Sequence, residues 1–257
     1  MRKIWQGIKE IININGKTNS VPVCVTENKE IITEPTGVSN AFNNYYSNIA
    51  ENILNRRKYA GDGNFIKYMP PPHPNSLILT QTDTNEIQNI IKSFDINKGT
   101  GPCSLPPKIL NLICDIIASP IAKLANISFE TGVHPERLKV AKVIPIFKSG
   151  SKMLTSNYRP ISLLSNINKI LEKIMFTRVH SFLQNENLIY KQQFGFRPRH
   201  STTQVLINIT DKIKDALDHG KSACGVFVDL QKAFDTVNHE ILLKKMSRYG
   251  IHGPIHD

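Results

Sequence analysis

Cysteine is scarce in this chain and widely scattered. Its 257 residues include four, at Cys24, Cys103, Cys114 and Cys224. No two stand at the close spacing of a zinc knuckle, and the eight histidines do not complete one. A zinc ribbon is thereby excluded, and scattered core thiols in a reducing compartment are expected. Long hydrophobic runs are missing too. No stretch approaches the roughly 20 apolar residues of a membrane span. The opening MRKIWQGIKEI has basic residues but no apolar run, so it is not a signal peptide. The expectation is an intracellular chain, nuclear or cytoplasmic, with no membrane partner. Acid is in short supply: 21 acidic residues face 32 basic ones, for a net charge of +11. Such a balance favours polyanionic partners by steering and counterion release, although charge alone does not require nucleic acid. Nothing in the sequence sets an oligomeric state, and no internal repeat is present.

The apolar fraction of 40% is enough for a sizeable core, in one large domain or two smaller ones. Residues 1–18 read as a short helix ending at Asn15–Gly16. VPVCV and KEIITEP read as a small hairpin, stopped by Pro35 and Thr36. From Ser39, the positions Ala41, Phe42, Tyr45, Tyr46, Ile49, Ala50 and Ile53 recur every three or four residues, one apolar helix face. Residues 57–80, with PPPHP at 70–74, read as a linker or surface wrap and give the best internal boundary. The division expected is 1–80 as a helical region and 81–257 as a second module.

That module opens with a helix facing inward through Ile87, Ile90, Ile91 and Phe94. The loop KGTGPCSLPPKIL turns into a helix at Pro106–Pro107, where proline suits the first turn. The apolar run from Ile109 to Ile127 is expected to break or kink at Pro120. VAKVIPIFKSG and NYRPISLL form an antiparallel ribbon, with Pro145 and Pro160 arguing for edge positions. A helix over 166–183 buries Ile170, Leu171, Ile174, Met175, Val179, Phe182 and Leu183. Another, from Thr202 to about His219, buries Val205, Leu206, Ile209, Ile213 and Leu217 and stops at Gly220. CGVFVDL then predicts a buried strand at 225–229, with Phe227 in the core. A last helix runs from about Asn238, its cap, to Tyr249. Helices around few strands make an α+β fold.

An aspartate at the rim of a buried strand is costly unless paired. Asp229, in FVDLQKAFD, therefore either caps a turn or holds a metal. Lys142, Lys148 and Arg159 on the ribbon, with Arg197 and Arg199 in GFRPRHS, are solvated surface taken singly. Taken together with Asp229, they bring phosphate chemistry into view.

FVDLQKAFDTVNHEILL resembles the first catalytic motif of the reverse transcriptases of non-LTR retrotransposons. NYRPISLLSNINKILEKI and QFGFRPRHSTTQ resemble the blocks before it, and VAKVIPIFKSG the preceding ribbon strand. KGTGPCSLPPKIL resembles an upstream segment of the family. AFNNYYSNIAENI resembles the stretch joining its endonuclease to its polymerase. The resemblance implies a partial right-hand polymerase, comprising fingers with a β-ribbon and the first palm strand. Asp229 matches the ligand of the catalytic magnesium (or manganese) ions of the complete enzyme. The backbone at Leu230 would face the triphosphate, and Phe234 would exclude a ribose 2′-hydroxyl. Arg159 matches the fingers arginine on the triphosphate, with Lys148 as its accompanying lysine and Lys142 the second candidate. Phe196 and Arg197 would lie on the template side, and Asp235 would be a structural acceptor at the next helix. The implied partners are an RNA template, a DNA primer and dNTPs. Cys103 and Ser104 stand where the family shows aspartate and glycine. The family's later double-aspartate motif is not in the sequence. The chain alone is therefore expected to be inactive, either a segment of an RNA-directed DNA polymerase or a non-catalytic nucleic-acid-binding remnant.

Overall fold

The computed structural model describes residue 22 and residues 25–27, 30–55, 65–103 and 105–255. The helix expected over residues 1–18 lies outside them. In chain order the elements are β1 (Val25–Glu27), β2 (Glu30–Ile32), α1 (Pro35–Leu54), α2 (Thr84–Lys92), α3 (Pro107–Leu112), α4 (Cys114–Thr131), α5 (Glu136–Lys139), β3 (Lys142–Phe147), β4 (Tyr158–Leu163), α6 (Asn166–Asn185), α7 (Thr202–Asp218) and α8 (His239–Arg248). The described fold is thus α+β and mostly helical, with two antiparallel two-stranded sheets, β1–β2 and β3–β4. The residues group into two compact units. One draws on Met1–Tyr59, Ser93–Ile113 and His134–Lys169, the other on Ala60–Lys92, Cys114–Val133 and Ile170–Asp257.

In the first unit the hairpin and α1 build a small aromatic core. Helix α1 starts at Pro35, earlier than the periodicity alone predicts. Pro35 fits the first turn, and the Glu34 side chain accepts the backbone N–H groups of Thr36 and Gly37. Those two hydrogen bonds hold the Glu34 carboxyl below the ordinary carboxylate range. The inward face carries Val38, Ala41 and Phe42 against Val25 and Tyr158, with Ile32, Tyr46 and Phe147 alongside. Tyr158 lies edge-on to Phe42 at 5.0 Å and to Phe147 at 5.4 Å. Its buried hydroxyl donates to Lys152 O at 2.7 Å, so burial leaves no orphan donor.

In the second unit α2, α4 and most of α6 pack through Ile87, Ile91, Ala118, Ala125 and Ile174, all fully buried. Arg178 of α6 pins this packing. Its guanidinium pairs with both Glu86 oxygens at 2.8 Å and donates to Thr80 O and Gln81 O. Asn126 makes a two-way bond with the Thr82 backbone. The proline-rich stretch is an extended wrap: His73 N donates to Arg248 O and Leu77 N to Gly250 O, each at 2.8 Å.

Three expectations need correction. Helix α4 runs through Pro120, so of the break or kink expected there the break is excluded, and the chain breaks earlier, at Ile113. A proline removes one hydrogen bond, and burial of Ala118, Ile121, Ala122 and Ala125 around it keeps the helix whole. Helix α7 forms where expected, closed by a Ser201–Gln204 capping box. Its apolar face is nevertheless not buried, with Leu206 and Leu217 both over 60% exposed. Its periodicity is intact, but of the five positions expected inside only Val205 is half-buried, and the other four are exposed. Residues 221–230 form no strand, and Val226, Phe227 and Val228 are at least 80% exposed. A strand needs a neighbour to take its N–H and C=O groups. Both described sheets are complete as pairs, and no described strand runs beside this segment.

Candidate nucleic-acid interface

The ribbon register decides which side chains share a face. Lys142 lies opposite Leu163, Ile144 opposite Ile161, Ile146 opposite Arg159, and Phe147 opposite Tyr158. Lys148 N donates to Asn157 O at 2.9 Å, so Lys148–Asn157 is a hydrogen-bonded rung. Rungs alternate. Pro145 and Pro160, directly opposed, therefore fall on a non-bonded rung, where each missing N–H would point outward. The ladder stays intact, and both outer edges lose a donor at mid-strand, which discourages any third strand.

The same parity places Phe147 and Tyr158 on the core face and Lys142, Ile144, Ile146, Lys148, Arg159 and Ile161 on the other. Arg159, Lys142 and Lys148 are exposed. Lys148 sits one rung pair from Arg159, a diagonal neighbour at roughly 7–8 Å. Lys142 lies four residues from Ile146, Arg159's partner, in the opposite direction. Of the two lysines, the register thus puts Lys148 nearer the arginine. From Arg137 to Leu171 the sequence contains no carboxylate, so nothing neutralises this face from within the segment. That charge gap is legible in the sequence itself.

The ribbon ends are fixed. Gly150 has φ +86°, and a Cβ there would meet Asn157 Nδ2 at 2.7 Å. Asn157 Nδ2 in turn donates to Ser151 O, and Thr26 N donates to Met153 O at 2.7 Å. Beyond β4, sequence reasoning missed a buried polar knot. Asn166 is 1% exposed; its Nδ2 donates to Leu105 O at 2.7 Å, and its Oδ1 accepts from Lys169 Nζ. Asn168 N donates to Ser165 Oγ, and His134 Nε2 lies 2.8 Å from Asn168 Oδ1. Gly101 sits where a Cβ would come within 2.1 Å of Leu164 O. Only a glycine lets the loop 99–103 close onto the ribbon exit. Cys103 is exposed in that loop, and Ser104 lies outside the described residues.

In the second unit Asp229 is exposed on the unpaired segment. Leu230 and Phe234 are 69% and 79% exposed. A turn follows, with Asp235 N and Thr236 N donating to Lys232 O. The cap of α8 is Asn238, whose side chain accepts Ile241 N, so the acceptor role expected of Asp235 at this helix falls to Asn238. Phe196 meets Phe234 edge to face at 5.8 Å. Arg197 is half-buried, and its Nη1 donates to Tyr190 O and Gln193 O, folding the loop on itself. Arg199 is exposed, at φ +61°. Among the described residues no three His, Cys, Asp or Glu side chains group as metal ligands. Asp229 alone does not fit a two-metal centre, which takes several oxygen ligands.

Residues 146–256 match the family described as reverse transcriptase (RNA-dependent DNA polymerase). Over 183 residues the chain is 32% identical to the RNA-directed DNA polymerase from mobile element jockey of Drosophila melanogaster, covering 71% of this chain and 20% of that protein. It is 30% identical to the probable RNA-directed DNA polymerase from transposon BS of the same fly, covering 67% and 19%. To that of transposon X-element it is 33% identical, covering 63% and 18%. The chain is related by descent to the reverse transcriptases of non-LTR retrotransposons. It spans about a fifth of the length of the curated relatives it matches. The reverse-transcriptase match takes in Lys148, Arg159, Phe196, Arg197, Arg199, Asp229, Leu230 and Phe234, and leaves Lys142 just outside. Among the described residues no helix is long and apolar enough to cross a membrane.

Proposed function

We propose that this chain supplies the fingers and the opening of the palm, within residues 81–257, of an RNA-directed DNA polymerase. In the complete protein that enzyme joins dNTPs to a DNA primer on an RNA template, inside the cell. The observation that carries this reading is the single basic face of the β3–β4 ribbon, with Arg159 and Lys148 as diagonal neighbours in a segment without carboxylates. A rigid guanidinium fork beside a lysine suits triphosphate or backbone phosphates. Asp229 would contribute one ligand to magnesium or manganese in the complete enzyme. Leu230 would offer its backbone to the nucleotide, and Phe234 its bulk beside the sugar. Arg199 and Lys142 would add phosphate contacts, with Phe196 and Arg197 toward the template.

A second reading applies to the chain on its own, that of a nucleic-acid-binding remnant without catalysis. Asp229 stands exposed on an unpaired segment, and among the described residues no group of three His, Cys, Asp or Glu side chains includes it, which favours this reading. Primer extension with magnesium and dNTPs separates the two. No extension is expected from the 257-residue chain, and incorporation abolished by Asp229→Ala would sink the remnant reading. In a longer polymerase containing this segment, Asp229→Ala should abolish synthesis, and Phe234→Val should relax sugar selection while synthesis continues.

A further inference from the structure

Helix α1 carries a stripe of asparagines that neither reading above uses. Asn44, Asn48 and Asn52 stand four residues apart, and all three are exposed. With Tyr45, Thr26 of β1 and Thr155 ahead of β4 they line a groove of about 350 Å³, the buried Ala41 among its walls. The groove lies wholly within the first unit. Its lining is made of amides, hydroxyls, a methyl group and one aromatic ring, with neither a cation nor a carboxylate. In a chain of net charge +11, this is a site without the charge that a phosphate calls for.

Helix stability does not call for these residues. Asparagine is a poor helix former because its side chain competes for nearby backbone groups. Asn48 does so here, its Nδ2 donating to Asn44 O at 2.9 Å. A solvated helix face is better served by Glu, Lys, Gln or Arg. What the stripe offers instead is a repeat. Four residues of α-helix advance about 6.0 Å, and two residues of an extended chain advance about 6.6–6.8 Å. Every second residue of an extended chain turns its N–H and C=O to the same side. One carboxamide, with its C=O acceptor and NH2 donors, matches one such pair. Across the three asparagines the two repeats part by only about 1.2–1.6 Å, which side-chain rotation absorbs. Thr26 N is engaged with Met153 O, so the hairpin edge does not take another strand through it, and recognition falls to the side chains.

We propose that this groove binds an extended, uncharged segment of a partner protein, held by its backbone, with Asn44, Asn48 and Asn52 each exchanging hydrogen bonds with every second residue. Charge and repeat together select this occupant. A peptide backbone is neutral and offers a donor and an acceptor at each step. A nucleic-acid strand brings a phosphate with each nucleotide and meets no cation among the lining residues. The proposal concerns a different surface from the ribbon and does not rest on the nucleic-acid reading.

The test uses the isotopically labelled 257-residue chain and an acetylated, amidated heptapeptide of alternating threonine and valine. Titration is expected to shift the side-chain amide resonances of Asn44, Asn48 and Asn52 saturably. Asn48→Ala should weaken binding by about tenfold, and replacing all three asparagines by alanine should abolish it. Alanine is the better helix former, so the triple variant should melt no lower than the parent, which separates lost binding from lost fold. The same peptide N-methylated at every residue has no backbone donors and should not bind. Equal binding of the methylated peptide overturns the proposal, as does indifference to Asn48→Ala or the absence of any shift with the parent chain. Displacement of the peptide by poly-uridylate or by maltoheptaose at lower concentration also overturns it, and assigns the groove to a nucleic acid or a sugar. The nucleic-acid reading stands or falls separately, on salt-dependent binding at the ribbon.

Discussion

Phe196 and Phe234 touch edge to face, with ring planes at 82° and centroids 5.8 Å apart. Each belongs to a segment that bends through a left-handed residue, Phe196 itself at φ +59° and Lys232 at φ +50°. Both rings are otherwise largely exposed, so each is the other's principal cover. Such pairs contribute about 0.5–1.5 kcal/mol beyond burial. Phe196→Ala should therefore leave global stability nearly unchanged yet loosen the segment around Phe234. Limited chymotrypsin digestion is the measurement, with faster cleavage near residues 227–234 expected. Cleavage no faster than in the parent chain would show that the contact restrains nothing.

Arg178 and Glu86 form the second relationship with consequences. Arg178→Met removes a two-pronged pair and leaves Thr80 O and Gln81 O without their donor, at a cost of about 3 kcal/mol. Arg178→Lys should recover only part, since an ammonium cannot reproduce the planar fork. Hydrogen bonding to Arg178 is the largest cause holding the Glu86 carboxyl below its ordinary value of 4.5. The pKa is lowered by folding, so the stabilisation is complete above that ordinary value and is lost as pH falls below it toward the folded value. Urea titrations at neutral pH and near pH 3 should show the gap between parent and Arg178→Met shrinking in acid. A gap that is constant with pH would contradict the ion-pair account.

The aromatic core of the first unit makes a plainer prediction. Phe42→Ala empties the space beside Tyr158 and should cost about 3–5 kcal/mol. Tyr158→Phe keeps the ring packing but withdraws the donor from Lys152 O, so about 1 kcal/mol is expected. Thermal or denaturant melts of the two variants would rank them, and a reversed order would relocate the core.

On the ribbon, Arg159→Ala should weaken nucleic-acid binding at low salt and lower the slope of log affinity against log salt by about 0.7–0.9, one phosphate contact's worth. Lys148→Ala should do the same. Because the two are diagonal neighbours, the double variant should fall short of the sum if both hold one phosphate. Strict additivity would assign them separate phosphates, and an unchanged slope would take Arg159 off the interface.

What lay in the sequence was whatever depends on near neighbours. The inward positions of α2, the leading turns of α6, the proline start of α3 and the Asn238 cap of α8 follow from side chains a few residues apart, and all appear in the fold. So does the ribbon, whose two apolar arms lie close along the chain. The order of motifs from the ribbon to FVDLQKAFD likewise carried the kinship with reverse transcriptases. Tertiary structure alone decided the rest. Which cation shares a face with Arg159 depends on the parity of one rung, and Gly101 and Asn166 acquire their roles only when distant loops meet. Helix α7 and residues 224–230 mark the boundary most clearly. Their apolar patterns are real as patterns, but a pattern says which side can be buried, not whether a partner is there to bury it. Burial and strand pairing are relations between separated stretches of chain, and the free energy they supply exists only where the second surface is in place.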